Sequence, residues 1–367
     1  MRCTAVTIVL LLLASSAAAQ PSQNIIIVTL DGLRWQEVFR GYDATFADKE
    51  SGGVRNSKRL HEQFARPNTQ QSRAALMPFL WNTLAPSGQL FGNHDDGSTA
   101  RVTNPHHFSY PGYSELLCGF VEPRIDSNDP VPNPNVTVLE WLNRRPGFEN
   151  RVAVFGAWTR FREILNMQRS RLHVVAGWNP IAPFNNVPLS PREETLNALL
   201  ATQTRMWPDE PPDAIVAQAA LEHLRKHKPR VLYIGFGETD EWAHARRYDL
   251  YLESARRADE FLSYLWTTIQ SMPDYAGKTV MLITCDHGRG RTVRDWTDHG
   301  GKVAGAEEWW LAALGPGVPA DLKPTPDVTQ SQVAATIASL LGEDWPATEK
   351  RAATAIIFSS RLKDAAP

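Results

Sequence analysis

Three apolar runs, each leading into residues that can ligate a cation, constrain this chain more than any other feature. Ile25-Ile26-Ile27-Val28-Thr29-Leu30 runs directly into Asp31. Val231 to Phe236 is followed within a few residues by Asp240 and His244, and Val280-Met281-Leu282-Ile283-Thr284-Cys285 leads into Asp286-His287-Gly288. Short β-rich apolar runs alternating with helical patterns predict an α/β fold, a mostly parallel central sheet with helices on both faces. Ligands gather at the carboxyl ends of the strands in such sheets, so three strands each deliver a carboxylate to one edge and two also deliver an imidazole.

The remaining elements read in the same way. Strands are predicted at Asn24–Leu30, Arg151–Phe155, Val231–Phe236, Thr279–Thr284 and Glu308–Leu314, with Trp309 and Trp310 in the core. Apolar residues recurring every three or four positions predict helices at Tyr113–Leu117, Asp213–His227, Asp249–Met272 and Ser331–Leu341. Asn and Pro make Asp126–Pro134 a loop, as they do Asn179–Pro191. An inserted cap-like region is expected at roughly 156–212, and residues 349–367 as a loosely held tail. Residues 44–75 are polar and read as a flap or as plain surface.

Met1-Arg2, the apolar run Ala5 to Leu13 and the small residues ending Ala17-Ala18-Ala19 form the outline of a secretory signal over 1–19, cleaved after Ala19. The run is short of the ~20 residues a spanning helix needs, so no membrane span is expected once the signal is removed. The mature chain, 20–348 as one catalytic domain plus the tail, keeps Cys118 and Cys285, either as a disulfide or as two small buried apolar residues. Charged residues at 21% and a net charge of -2 predict no nucleic-acid surface and point to a small-molecule partner. Asn135-Val136-Thr137 fits a glycosylation acceptor.

Any one Asp after a strand is commonly a helix cap, and a lone His is commonly a satisfied core or surface residue. Here Asp31, Asp240 with His244, Asp286 with His287, and Asp298 with His299 all fall near strand ends, and their coincidence predicts a metal centre. Mixed carboxylate and imidazole donors suit zinc, with manganese the alternative, better than calcium, which prefers oxygen alone.

This joint pattern resembles the alkaline phosphatase superfamily, over about Asn24 to Pro346, and within it the type I phosphodiesterase and nucleotide pyrophosphatase branch. The motifs that carry the resemblance are Thr29-Leu30-Asp31-Gly32, Asp240 with His244, Asp286-His287-Gly288 and the late His299. It implies two divalent ions, one held by Asp240, His244 and His299 and the other by Asp31, Asp286 and His287, with Ser109 bridging them. The branch places its nucleophile in a Thr-Phe-Pro-Asn context; the matching residues are Ser109-Tyr110-Pro111-Gly112, where the hydroxyl is kept and Asn is replaced by Gly112.

Physical chemistry points to Ser109 as well. Coordination to a divalent cation activates a hydroxyl without an adjacent base, and Pro111 suits the first turn of a helix whose N-terminal amides would receive phosphoryl oxygens. Ser114 and Glu115, inside that helix, project less well toward the strand ends. Two ions would clamp an in-line displacement through a covalent phosphoserine, later hydrolysed by water. Arg124 and Asn128 are candidates for phosphoryl binding, and Trp242, between Asp240 and His244, for the substrate pocket.

The function expected is thus a secreted or periplasmic two-metal hydrolase of phosphoric esters, with diesters or pyrophosphates ahead of monoesters. A sulfatase is the nearest alternative, but the Cys/Ser-x-Pro-x-Arg segment of sulfatases lacks its Arg here, where Tyr113 stands. A phosphoglycerate-mutase-like phosphotransferase acts on cytoplasmic metabolites, against the predicted signal. A metal-binding module without turnover would not need the hydroxyl at 109.

Overall fold

The computed structural model describes residues 22–320 and 327–358; the predicted signal lies outside them. The strands among the described residues are β1 (Asn24–Leu30), β2 (Gln89–Phe91), β3 (Ala100–Arg101), β4 (Val152–Gly156), β5 (His173–Ala176), β6 (Val231–Phe236), β7 (Thr279–Thr284), β8 (Leu311–Leu314) and β9 (Val328–Thr329). Seven form one sheet in the order β2-β8-β7-β1-β6-β4-β5, while β3 pairs with β9 apart from it. β7, β1, β6, β4 and β5 are mutually parallel, and β8 runs antiparallel to β7 and β2. The α/β expectation, a mostly parallel sheet flanked by helices, therefore holds.

β1, β6 and β7 are buried along their whole length, which is why their sequences are unbroken apolar runs rather than alternating ones. They are also adjacent, with β1 between the other two. Hydrophobic burial thus fixes three neighbouring strands in parallel register, and their carboxyl ends open on one edge.

Several boundaries differ from expectation. Trp309 and Trp310 are fully buried, donating their indole N–H groups to the Cys285 and Leu33 carbonyls, but the strand begins only at Leu311 and is antiparallel. The stretch 156–212 is not a separate cap: it supplies β5 to the edge of the main sheet and the helix Pro191–Thr202, which packs on Asp213–His227. Residues 44–75 are largely helical, and the helices Ser57–Phe64 and Thr69–Leu76 bury Leu60, Phe64 and Leu76.

The segment after Glu349 is held through Phe358, with Ala353 N donating to the Gly119 carbonyl at 2.8 Å, Ile356 N to Thr336 Oγ1 at 2.9 Å, and Ile356 buried. Cys118 and Cys285 are both free and buried, not paired. Asn135 is buried with its amide given to Glu122 Oε2 at 2.9 Å, and Thr137 caps the helix Val138–Asn143, so this sequon is consumed by the fold. No helix among the described residues is long and apolar enough to cross a membrane.

Candidate metal centre

Asp31 follows β1, Asp286 and His287 follow β7, and Asp240 and His244 lie on the short helix Glu238–His244 that follows β6. Parallel register of β7, β1 and β6 brings these side chains together. His299 arrives on the loop between β7 and β8, its ring centroid 4.1 Å from that of His287.

His287 stands at the middle. Its Nε2 is 3.4 Å from Asp31 Oδ1, 3.4 Å from Asp286 Oδ2, 3.9 Å from Asp240 Oδ1 and 3.3 Å from Ser109 Oγ. Its Nδ1 lies 2.9 Å from the Gly288 carbonyl, which holds a proton on Nδ1 and turns Nε2 to the carboxylates. Asp240 and His244, four apart on one helical turn, meet at 3.0 Å between Oδ2 and Nε2. His299 Nε2 lies 3.0 Å from His244 Nε2 and 3.7 Å from Asp240 Oδ1.

The donors fit divalent ions. Among the described residues, Asp31 Oδ1 and Asp286 Oδ2 are buried without a hydrogen-bond partner, as is His299 Nδ1. Buried carboxylate oxygens left unpaired this way are costly unless a cation or a proton meets them. Two groups of donor atoms, Asp31 with Asp286 and His287, and Asp240 with His287 and His299, each lie within 4.8 Å of one another.

Electrostatics agrees. Burial, then the charges of Asp286 and Asp240, push Asp31 up to about 7, and burial also raises Asp286. Burial presses His287 down, but Asp286 and Asp31 outweigh it and carry it up to about 9. Burial and the nearby His287 hold His299 well below the usual imidazole range. Burial works against the Asp240 carboxylate, yet Arg289 and then His244 prevail and keep it well below the usual carboxylate range.

Ser109 is the first residue of the helix Ser109–Cys118, buried, with the hydroxyl turned to His287; Pro111 is in the first turn, as expected. The amides there are less free than expected. Tyr110 N donates to Asn128 Oδ1 at 2.9 Å, Gly112 N to the Phe108 carbonyl, and Pro111 has none. Asn128 therefore caps the start of the helix Ser109–Cys118. Arg124 is not brought to the cluster: its fork is spent on Glu122, at 2.8 and 2.7 Å, on an exposed side chain. Trp242 is half-buried and packs edge-on against Trp207, ring centroids 5.0 Å apart. Ser114 and Glu115 are structural, the latter accepting from Thr103, Asn104 and Ser331.

Two residues escaped the sequence reading. Arg289, fully buried, donates to the Asp240 carboxylate and to the Asp240 and Thr297 carbonyls. Its place two residues after His287 was the available signal. Glu210 is buried with Oε2 unpartnered, and burial together with Asp31, Glu241 and Asp240 pushes it well above the usual range. Beside the cluster opens a groove of about 530 Å³ lined by Pro105, His106, Phe108, His299 and Lys302.

Residues 202–304 match the family model described as the Metalloenzyme superfamily. No curated protein is matched significantly. Among solved structures, the alkaline phosphatase PafA is similar at a TM-score of 0.58 and 9% identity, over 89% of this chain and 97% of that one. A 2-O GAG sulfatase is similar at a TM-score of 0.56 and 15% identity, over 91% and 73%. A protein of the alkaline phosphatase superfamily from Vibrio parahaemolyticus gives 0.51 and 14%, over 89% and 68%. The resemblance to the superfamily read from the strand-end motifs holds, and a phosphatase and a sulfatase are both represented.

Proposed function

The chain carries the alkaline phosphatase superfamily fold and a Metalloenzyme superfamily segment, and on that premise we propose that it is a metal-dependent hydrolase of small phosphoric esters, with diesters or pyrophosphates ahead of monoesters. The observation that carries this is Ser109. Its hydroxyl lies at the start of a ten-residue helix, 3.3 Å from the His287 nitrogen that faces Asp31 and Asp286. Asp31, Asp286 and His287 would hold one divalent ion and Asp240, His244 and His299 the other, zinc or manganese by donor type. Bound there, the pair would supply Lewis-acid stabilisation of charge on the attacking and leaving oxygens.

The protein's own groups do the rest. Ser109 Oγ attacks phosphorus in line, forming an O–P bond as the P–O bond to the leaving group breaks; water then cleaves the phosphoserine and restores the hydroxyl. Gly288, by accepting from His287 Nδ1, fixes the tautomer that keeps Nε2 toward the centre. Asn128 holds the helix that presents Ser109. The groove past His299 receives the leaving group. The N-terminal pattern supports export, with cleavage after Ala19.

A sulfatase is the second reading, since a sulfatase shares the fold. Position 113 speaks against it: where the sulfatase segment has Arg, Tyr113 is fully buried and donates to Asp31 Oδ2 at 2.8 Å. Initial rates of the zinc-loaded protein, residues 20–367, on bis-p-nitrophenyl phosphate, p-nitrophenyl phosphate and p-nitrophenyl sulfate test the choice. Turnover of the phosphates, fastest on the diester and lost in Ser109→Ala with metal content retained, is expected. Sulfate turnover alone, or full activity of Ser109→Ala, would overturn it.

A further inference from the structure

Resting on the two-metal reading above, we infer that Arg289 is a built-in cation that makes the two metal sites unequal, so that the Asp240–His244–His299 half binds its ion weakly and in concert with an anion. The two halves differ in what their carboxylates already hold. On one side Asp31 Oδ1 and Asp286 Oδ2 carry no hydrogen bond and both face His287 Nε2 at 3.4 Å. On the other, Asp240 Oδ1, the oxygen that faces both His299 and His287, is the one that accepts from Arg289.

Arg289 is not placed to leave. Its side chain is fully buried, Nη1 donates to the Thr297 carbonyl and Nη2 also reaches the Asp240 carbonyl at 3.2 Å. The backbone that follows is pinned from two sides, with Gly290 N donating to the Asp298 carbonyl at 3.0 Å and the Gly290 carbonyl accepting from buried Arg34 at 2.9 Å. Room for the guanidinium exists only because residue 32 is glycine, in a left-handed turn at φ +57: a Cβ there would lie 2.8 Å from Arg289 Nε and 2.8 Å from Asp240 Oδ1. Arg289 Nε is itself buried without a partner among the described residues.

Charge arithmetic sets the order of filling. A divalent ion between Asp31 and Asp286 meets two negative charges and leaves that half neutral. A divalent ion at Asp240 meets one negative charge already matched by Arg289 and leaves that half doubly positive. Like charges at such separations in a buried site repel by several-fold more than in water, so the second ion binds well only when an anion, a phosphate oxygen pair foremost, shares the half-site. Linkage then requires that the second ion raise the affinity for that anion by the same factor.

Zinc titration of the metal-free protein against a chromophoric chelator, with and without inorganic phosphate, tests this directly. Wild type should bind two equivalents in steps at least about tenfold apart, with phosphate tightening the second more than the first. Arg289→Met should leave the first step in place, which also reports an intact centre, and tighten the second about tenfold or more; Arg289→Lys should behave as wild type. Asp240→Asn should abolish the second step alone. Two coincident steps in wild type, a second step indifferent to phosphate, or no tightening in a folded Arg289→Met would overturn the inference while leaving the two-metal reading standing. Wild type that binds no zinc would instead overturn the two-metal reading.

Discussion

Gly112 sits where no side chain fits: a Cβ there would lie 2.5 Å from the Asp286 carbonyl oxygen and 3.2 Å from its carbon. The helix Ser109–Cys118 thus touches the backbone that follows β7 directly, and the Asn of the phosphodiesterase pattern would not fit between the two backbones at position 112. Gly112→Ala must push Ser109 and Asp286 apart. Overpacking of this kind costs about 1–3 kcal/mol, and a shift near 1 Å at a reacting group costs about a hundredfold in rate. Calorimetry and steady-state kinetics should therefore show a lower melting temperature with kcat reduced more than KM is raised; an unchanged kcat would show that the contact does not position Ser109. Five of the six metal-ligand candidates were legible because a carboxylate or imidazole soon after a buried strand is a local pattern; His299, midway along the loop between β7 and β8, was reached through the resemblance. Arg289 and Glu210 were not, because what marks them is burial beside Asp240 and Asp31, and burial of a charged residue leaves no periodic trace in sequence.

At the scale of elements the same contrast recurs. β1, β6 and β7 matched expectation residue for residue, since strands buried on both faces need unbroken apolar runs. β5 did not: it has four residues at the sheet edge, three of them partly exposed, and its first is His173. The helix Pro191–Thr202 carries a Ser190–Glu193 capping box that was readable, but its apolar face is weak. His173 stacks on His223 of the helix Asp213–His227 at 4.7 Å, and His223 lies 4.6 Å from His227 and 5.2 Å from Phe155. Burial, then neighbouring histidine charge, lowers His173 to about 4 and His223 to about 2. A folded-state value below the unfolded one means that stability is complete above about 6.5 and is lost as pH falls, at up to about 1.4 kcal/mol per pH unit for each histidine. Metal-loaded protein should therefore melt progressively lower from pH 7 to pH 5, and His223→Phe should flatten that slope. An equal slope in the variant would assign the acid sensitivity elsewhere.

Across the whole molecule, five separated segments meet at one point, so folding drives Asp31, Asp240 and Asp286 together whether or not cations are present. Without metal the centre eases this by binding protons: Asp31 rises to about 7 and His287 to about 9. Both values lie above those of the unfolded chain, so their contribution is present at low pH and is lost as pH rises through 7 and then 9. Above about pH 6.5, where the contribution of the buried histidines is complete, metal-free protein should consequently lose stability up to pH 9. Divalent ions take over the protons' role, and because they bind only the assembled centre they add about 4 kcal/mol when present at a thousandfold over Kd. The melting temperature difference between zinc-loaded and EDTA-treated protein should thus widen from pH 6 to pH 8.5, while Asp31→Asn, with one negative charge fewer, should narrow the pH dependence of the EDTA-treated form. A difference that stays constant or shrinks with pH would mean that the carboxylates are relieved by partners other than the ions, and that the centre is held together by packing alone.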